Sequence, residues 1–551
     1  MEMAMEKQRI VILGGGFGGV YTASELMRRI NRISKHEVDI EVVLVSEENY
    51  ITFQPLLPEV VSGAVEQLHV ISPIRRIAPG VVLYVRHIDK IDVENKTVQL
   101  APGRVPRTET IPYDHLVIAM GNTLAHSMVP GLYEHAIPFK YLGDALRLRN
   151  HVVQMLEEAS VCSDPEERQR LLTFTVAGGG FSGVECIAEM EDFLRKAVRS
   201  FPNISETDLR LILVQSADRI LPEMKENLAN YADKLLRKRG IQIVLDHRLH
   251  EVSADRAIVM NKATKELEVI GSRTVVATVP TEPHSVIRDT PLQCEKGRIV
   301  VSDEMESASH PGVWSLGDCA AVPSGEGYTS PPTAQYAVRQ ATVCAENILA
   351  TIRNQPRRHF KFAGLGKLAS LGGRRAIAEV FGFTFSGFFA WLMWRTIYVE
   401  KMPGLDRKIR VFIDWMKDIF LPRDITQLNV HDEQQVRREH LAVGQILFHQ
   451  GDFGDRLYFV VDGEVEIEVD GNVVTTIGKG DVIGEMALLD HKARSATVKA
   501  VKPTDLVSLS SDAFDQIIKY VPGAANAMNK IHEERRQRNL AEQTADSSAD
   551  E

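Results

Sequence analysis

Two glycine-rich loops of nearly the same wording, GGGFGG over Gly14–Gly19 and GGGFSG over Gly178–Gly183, each follow a short apolar strand and each open a helix. The strands read RIVIL, 9–13, and FTVA, 174–177. In such a loop the first glycine permits a tight turn from strand to helix and the second lets backbone approach a pyrophosphate. The third lets the helix pack close on the sheet, with phosphates over the helix N-terminus. Gly14, Gly16 and Gly19 hold these places in the first loop, with Phe17 and Gly18 between them; Gly178, Gly180 and Gly183 hold them in the second. A single loop reads equally well as an ordinary turn. Two in the same context, a domain's length apart, point to a chain that holds two dinucleotides.

At 551 residues the chain is too long for one core, and two or three domains are expected. A formal net charge of −10 argues against a nucleic-acid binder. Five cysteines lie scattered with no C-x-x-C pair, a pattern that suits a reducing compartment without a structural metal site. The first residues run MEMAMEKQ straight into the first strand with no apolar leader, so secretion is not expected. One stretch could touch lipid: residues 376–399, rich in Phe and Trp but interrupted by Glu379, Arg395 and glycines. It reads as a poor spanning helix and a better interfacial one.

In a Rossmann unit a carboxylate at the end of the second strand binds the ribose. In the first unit that strand is 42–45; Ser46 occupies the slot and Glu47, the residue after it, is the expected ligand. In the second unit the strand LILV ends at Gln215, which can bond a ribose hydroxyl but lacks the charge that repels a 2′-phosphate. NADH is the expected donor, with NADPH left open. Further on, PGVWSLGDCAAVP is an apolar strand ending in Gly317 and Asp318, which reads either as an acidic turn or as a second flavin signature.

The ordered run NYITFQPLLPEVVSG, YDHLVIAMGN, VAGGGFSGVECIAEM, LGDCAA and SPPTAQYAVRQATVCAENI, continued by FKFAGLGKLASLGGRRAIAEVFGFTFSGFFAWLMWRTIYV, resembles the type II NADH:quinone oxidoreductases, single-subunit flavoproteins of a membrane surface. The resemblance implies FAD at the first loop, at Gly121 of AMGN and at Asp318, and NADH at the second loop with Glu185 beside the nicotinamide. Glu185, two residues past Gly183, also has a plain reading as an acid favouring a helix dipole. On the quinone side the resemblance places Ala334, Gln335 and Gln340 of the alanine–glutamine helix. Arg339 stands where the family usually carries the first glutamine of a pair, and offers donors but no acceptor. The implied chemistry is hydride transfer from nicotinamide to flavin, then two electrons to a membrane quinone without proton pumping. The implied place is cytoplasmic, peripheral on the inner face of the cytoplasmic membrane; a homodimer is left open. A sulfide:quinone reductase would need a redox cysteine pair that this chain does not carry.

Past Arg423 the text changes to short alternating strands broken by glycines, which suggests an antiparallel barrel. GEMALLDHKARSATV resembles the phosphate cassette of cyclic-nucleotide-binding domains. The resemblance gives Arg494 to the cyclic phosphate and Glu485 to the ribose hydroxyl, supported by Gly484, Ala487, Ser495 and Ala496. Ser495 leaves cAMP and cGMP both open, with cAMP the expectation. The plain reading is a barrel that binds nothing and mediates contacts.

The expected fold class is α/β, with two Rossmann-type dinucleotide domains, a membrane-surface helical segment and a C-terminal all-β, jelly-roll-like barrel. The expected segments are 1–165 and 296–360 for FAD, 166–295 for NAD(P)H, 361–428 for the membrane, 429–530 for the barrel and 531–551 as a polar tail. The main reading is an enzyme whose turnover cyclic nucleotide modulates. The alternative is a cyclic-nucleotide and redox sensor whose flavoprotein part signals to a partner.

Overall fold

The computed structural model describes residues 7–514 apart from 34–38, 102–108, 125–128, 279–280, 326–327, 428–435, 453, 455, 487–492 and 512. Ala487 and the tail 531–551 therefore lie outside the described residues.

The β-branched run at Gln8–Leu13 is buried along its last four residues, as befits a central strand covered on both faces. It pairs in parallel with Ile40–Ser46 on one side and His115–Ile118 on the other. Val82–Val85 and Val313–Ser315 complete a five-stranded parallel sheet. The strand order reverses beside Gln8–Leu13, and the crevice beyond the strand ends at such a point is where parallel α/β sheets take ligands. The first glycine loop, residues 119–121 and the Gly317–Asp318 turn all leave strands at that end of the sheet.

A second five-stranded parallel sheet repeats the plan with Thr173–Ala177 at its centre, between Arg210–Val214 and Thr274–Ala277. Its edges are Ile241–Val244 and Ala136–Pro138. This last pairing lies well before the expected boundary at 165. Ala136–Pro138 and the long helix Leu142–Val161 belong with the second sheet, whose core includes Ile137, Leu148, Val152 and Phe174. The chain passes between the two sheets at a small antiparallel pair, Asn122–Leu124 with Thr281–Pro283.

The lipid candidate 376–399 is not one helix. Ala376–Val380 and Phe383–Gly387 form antiparallel strands with Gly366–Ser370, and helix Phe388–Lys401 follows. A second helix, Leu405–Phe420, buries Val411, Asp414 and Trp415. Its other face leaves Leu405, Ile409, Phe412, Ile413, Met416 and Phe420 exposed, beside exposed Phe383, Phe388, Phe389 and Leu392. Among the described residues no helix is long and apolar enough to cross a membrane.

The C-terminal module consists of two antiparallel four-stranded sheets. Leu441, Tyr458, Val460, Val465, Ile483, Val498 and Leu506 fill the core between them.

Candidate active site

The two glycine loops are the same object built twice. Gly14 and Gly178 adopt φ of +113° and +114°, a region closed to residues with a Cβ. Each N–H donates to the carbonyl of the neighbouring strand, Val45 and Val214, at 2.9 Å. A Cβ on Gly19 would lie 1.9 Å from the Gly14 carbonyl oxygen, and one on Gly183 would lie 1.8 Å from that of Gly178. Helix and strand therefore touch through backbone. By contrast a Cβ on Gly16 would meet nothing within 4 Å, and one on Gly180 only Glu223 Oε1 at 3.8 Å. Gly16 and Gly180 cap the helices Phe17–Ile30 and Phe181–Ala197, and the open space lies over helix N-termini whose amides suit a phosphate.

Around the first loop, a Cβ on Gly18 would press on Leu316 and Ala119, so the loop, strand His115–Ile118 and the Gly317–Asp318 turn converge. Phe17 packs edge-on to Phe53 and near Tyr21. Gly121 leaves open space beside it. Burial pushes the Asp318 carboxyl up, while Lys140 and Arg298 pull it back. Lys140 is itself pushed down by burial and held up by Asp318. Asn122 Oδ1 and Arg298 Nε are buried with no hydrogen-bond partner among the described residues. A cradle open at Gly16 and Gly121, closed at Gly14 and Gly19, and flanked by orphaned polar atoms fits a flavin cofactor. Sequence reasoning missed Lys140, because nothing local distinguishes it from a surface lysine.

Glu47 sits exposed just past its strand and pairs with His87 at 3.1 Å. Its charge raises the Tyr141 hydroxyl further after burial does so first. Gln215, expected at a ribose hydroxyl, lies against the second glycine loop. Its Oε1 accepts from the Gly179 and Ser216 amides, both at 3.1 Å, and its Nε2 donates to Arg219 O at 3.3 Å. The side chain thus braces the glycine loop. The carboxylate that does stand near that loop is Glu223.

Glu185 is the fifth residue of its helix and 6% exposed, which removes the dipole reading. Its Oε1 accepts from Ser370 N at 2.7 Å. Burial, with Glu189 and Glu59 adding to it, pushes its carboxyl up to about 8 against the Ser370 hydrogen bond. Glu59, from QPLLPEV, was not singled out by the sequence. It is buried, accepts from Trp415 Nε1 at 2.6 Å and lies 3.7 Å from Arg395. Glu189 accepts from Ser62 Oγ at 2.9 Å and lies 3.8 Å from Arg423. Three buried acids thus stand between the second glycine-loop helix and the two helices with exposed apolar faces.

The alanine–glutamine helix runs Ala334–Ile352 with Ala334 as its first residue. Gln335 Oε1 accepts from Leu365 N at 3.1 Å and its Nε2 donates to Gly366 O at 3.2 Å, tying the helix to the strand Gly366–Ser370. Gln340 was expected on the quinone side. It is 1% exposed and its Oε1 accepts from Gly317 N at 2.9 Å, so it braces the Asp318 turn. Arg339 donates to Gln335 O at 2.9 Å and stacks 4.2 Å over the Phe362 ring.

In the C-terminal module Arg494 is buried and stacks 4.2 Å over Phe448. It donates to Gly484 O at 2.9 Å and to Arg456 O at 2.7 Å. A Cβ on Gly484 would lie 2.2 Å from Arg494 Nη1. Glu485 and Ala496 are buried nearby in sequence, whereas Ser495 is exposed.

Three family models match the chain in succession: pyridine nucleotide-disulphide oxidoreductase over 8–341, NDH2 C-terminal domain over 365–424 and cyclic nucleotide-binding domain over 438–520. The type II NADH:quinone oxidoreductase Ndh of Mycobacterium tuberculosis is 30% identical over 447 residues, covering 79% of this chain and 93% of its own length. The demethylphylloquinone reductase NdbB of Synechocystis is 27% identical, covering 75% of this chain and 97% of its own. The solved NDH2 of Plasmodium falciparum in complex with NADH shares the fold, with a TM-score of 0.70 at 19% identity over 76% of this chain and all of its own. The chain belongs to the type II NADH:quinone oxidoreductases of the pyridine nucleotide-disulphide oxidoreductase family, with a cyclic nucleotide-binding domain joined behind the NDH2 C-terminal domain.

Proposed function

We propose that this NADH:quinone oxidoreductase holds FAD at Gly14–Gly19, Gly121 and Asp318, takes NADH at Gly178–Gly183, and meets its quinone at a membrane surface. The observation that carries the reading is the duplicated loop, each copy closed where helix meets strand and open over the helix N-terminus. Bound there, FAD would accept a hydride from the nicotinamide and pass two electrons to a quinone. The chain's own residues do the rest. Gln340 holds the Asp318 turn, Gln335 ties its helix to Gly366, and Gln215 braces the second loop. Glu185 keeps a proton near neutral pH in a water-poor pocket, beside two more buried acids.

The exposed apolar residues of Phe388–Lys401 and Leu405–Phe420 support a peripheral membrane face, since a patch of this kind marks an interaction surface. Buried Arg494 and Glu485 at cassette spacing support a cyclic-nucleotide site that modulates turnover. The test is steady-state oxidation of NADH and NADPH by the FAD-loaded protein with a soluble quinone, with and without cAMP or cGMP. Flavin-loaded protein that reduces no quinone would overturn the reading.

A further inference from the structure

The C-terminal module meets the second dinucleotide unit around a buried histidine, His440. Strand Val436–Leu441 lies against the short helix Leu132–His135, where His135 Nε2 donates to the His440 carbonyl at 2.5 Å. The buried His440 ring faces one carboxylate of each unit: Asp505 of the module at 2.6 Å and Glu251 of strand His247–Ser253 at 3.5 Å. Burial lowers the affinity of this ring for a proton, but the two carboxylates outweigh it and raise it. Packing is close: a Cβ on Gly131 would lie 1.8 Å from Val252 O and 3.0 Å from His440 Cδ2.

Both sides of this dock lead somewhere. On the module side, Arg494 is bonded to the carbonyl of Arg456, whose own Nε donates to Ser508 Oγ at 2.9 Å. Strand Thr504–Ser510 carries Ser508 and pairs with both Arg456–Asp462 and Val436–Leu441, placing Asp505 opposite His440. On the catalytic side, helix Leu132–His135 runs without a break into Ala136–Pro138, an edge strand of the NADH-side sheet. Two residues later stands Lys140, half-buried and near enough to Asp318 for each to act on the other's charge.

We propose that cyclic-nucleotide occupancy reaches the flavin side through the His440 dock, which shifts the segment Leu132–Lys140 against Asp318. The inference rests on the reading of the module as a cyclic-nucleotide site. A cyclic phosphate drawn to Arg494 competes with the Arg456 and Gly484 carbonyls for the guanidinium and so acts on the strand that starts at Arg456. The ligand shifts turnover only by as much as it favours one docked arrangement over the other.

The test uses the full-length, FAD-loaded chain and two variants. His440→Ala removes the ring and its two carboxylate partners from the dock while keeping the backbone bond to His135, and Glu251→Gln cuts only the catalytic side while leaving the module's own His440 and Asp505 pair. Calorimetry measures cAMP and cGMP binding, steady-state kinetics measure kcat/KM for NADH, and amide exchange follows residues 132–141. In the parent, saturating nucleotide should change kcat/KM by about fivefold and alter exchange over 132–141. Both variants should keep basal turnover and nucleotide affinity and lose both responses. Variants that respond as the parent does, or a parent that binds nucleotide with unchanged exchange over 132–141, would overturn the coupling. A parent that binds neither nucleotide overturns the ligand reading itself, and the coupling with it.

Discussion

Gln340 Oε1 accepts from the amide of Gly317, 2.9 Å away and 23 residues earlier in the chain. The bond fixes the turn that presents Asp318; Gln340 is buried and Gly317 half-buried. Gln340→Leu would leave the Gly317 N–H unsatisfied at a cost of about 1–3 kcal/mol. The expected result is a lower melting temperature and a reduced flavin-to-protein ratio in purified material. Full flavin content with unchanged melting would show that the bond does not hold the turn.

The two loops predict a double dissociation. Gly19→Ala places a methyl against the Gly14 carbonyl, and Gly183→Ala does the same at Gly178. The first variant should lose bound flavin. The second should keep its flavin absorbance and raise KM for NADH by about tenfold or more, a change of about 1.4 kcal/mol in binding. Matched losses in both variants would mean that the loops do not divide the two ligands.

Glu185 gives a pH signature. Its carboxyl holds a proton up to about 8 in the folded chain, against an ordinary value of 4.5. Because the raised value belongs to the folded state, the native chain binds more protons than the unfolded one between these limits. Glu185 therefore weighs increasingly against the fold as pH rises through that window. Glu185→Gln keeps a neutral acceptor for Ser370 N–H and does not ionise. Its stability relative to the parent should grow by roughly 1–4 kcal/mol between pH 5 and 8, followed by denaturant unfolding at several pH values. A pH-independent difference would contradict the burial argument.

The apolar face should be separable from the chemistry. Phe389 and Phe420 are 75% and 76% exposed, one on each helix of the NDH2 C-terminal region. The pair Phe389→Asp and Phe420→Asp should weaken liposome association in flotation assays by about tenfold or more. Turnover with a short-chain soluble quinone should stay within about twofold of the parent. Undiminished flotation would move the membrane contact elsewhere.

What the sequence revealed and concealed follows a physical line. The glycine loops were legible because their backbone geometry admits almost no other residue, and Asp318 because it follows a buried strand. The backbone partners of Gln340 and Gln215 were not legible, because an amide next to a glycine-rich loop or turn is written the same way whether it faces outward or braces the loop. Only burial and partners separate the two cases. The run 376–399 looked like one lipid-facing helix because Phe, Trp and Val serve strands as well as helices; Gly382 and Gly387, at the strand turn and the helix start, carried the missed punctuation. Lys140, Glu59 and His440 gave no local signal, since each acquires its meaning from residues more than fifty positions away.

The sheet behind the first glycine loop is assembled from two distant stretches of chain, with the other dinucleotide unit inserted between them. Strand His115–Ile118 receives its outer neighbour only when Val313–Ser315 arrives, whereas the sheet behind the second loop is complete at Ala277. During synthesis the loop that comes second in the text is thus the first whose sheet closes, and the earlier one waits with an open edge for nearly the whole catalytic region. Ribosome-bound chains halted near residue 300 should resist protease across 173–277 while remaining cleavable across 8–118.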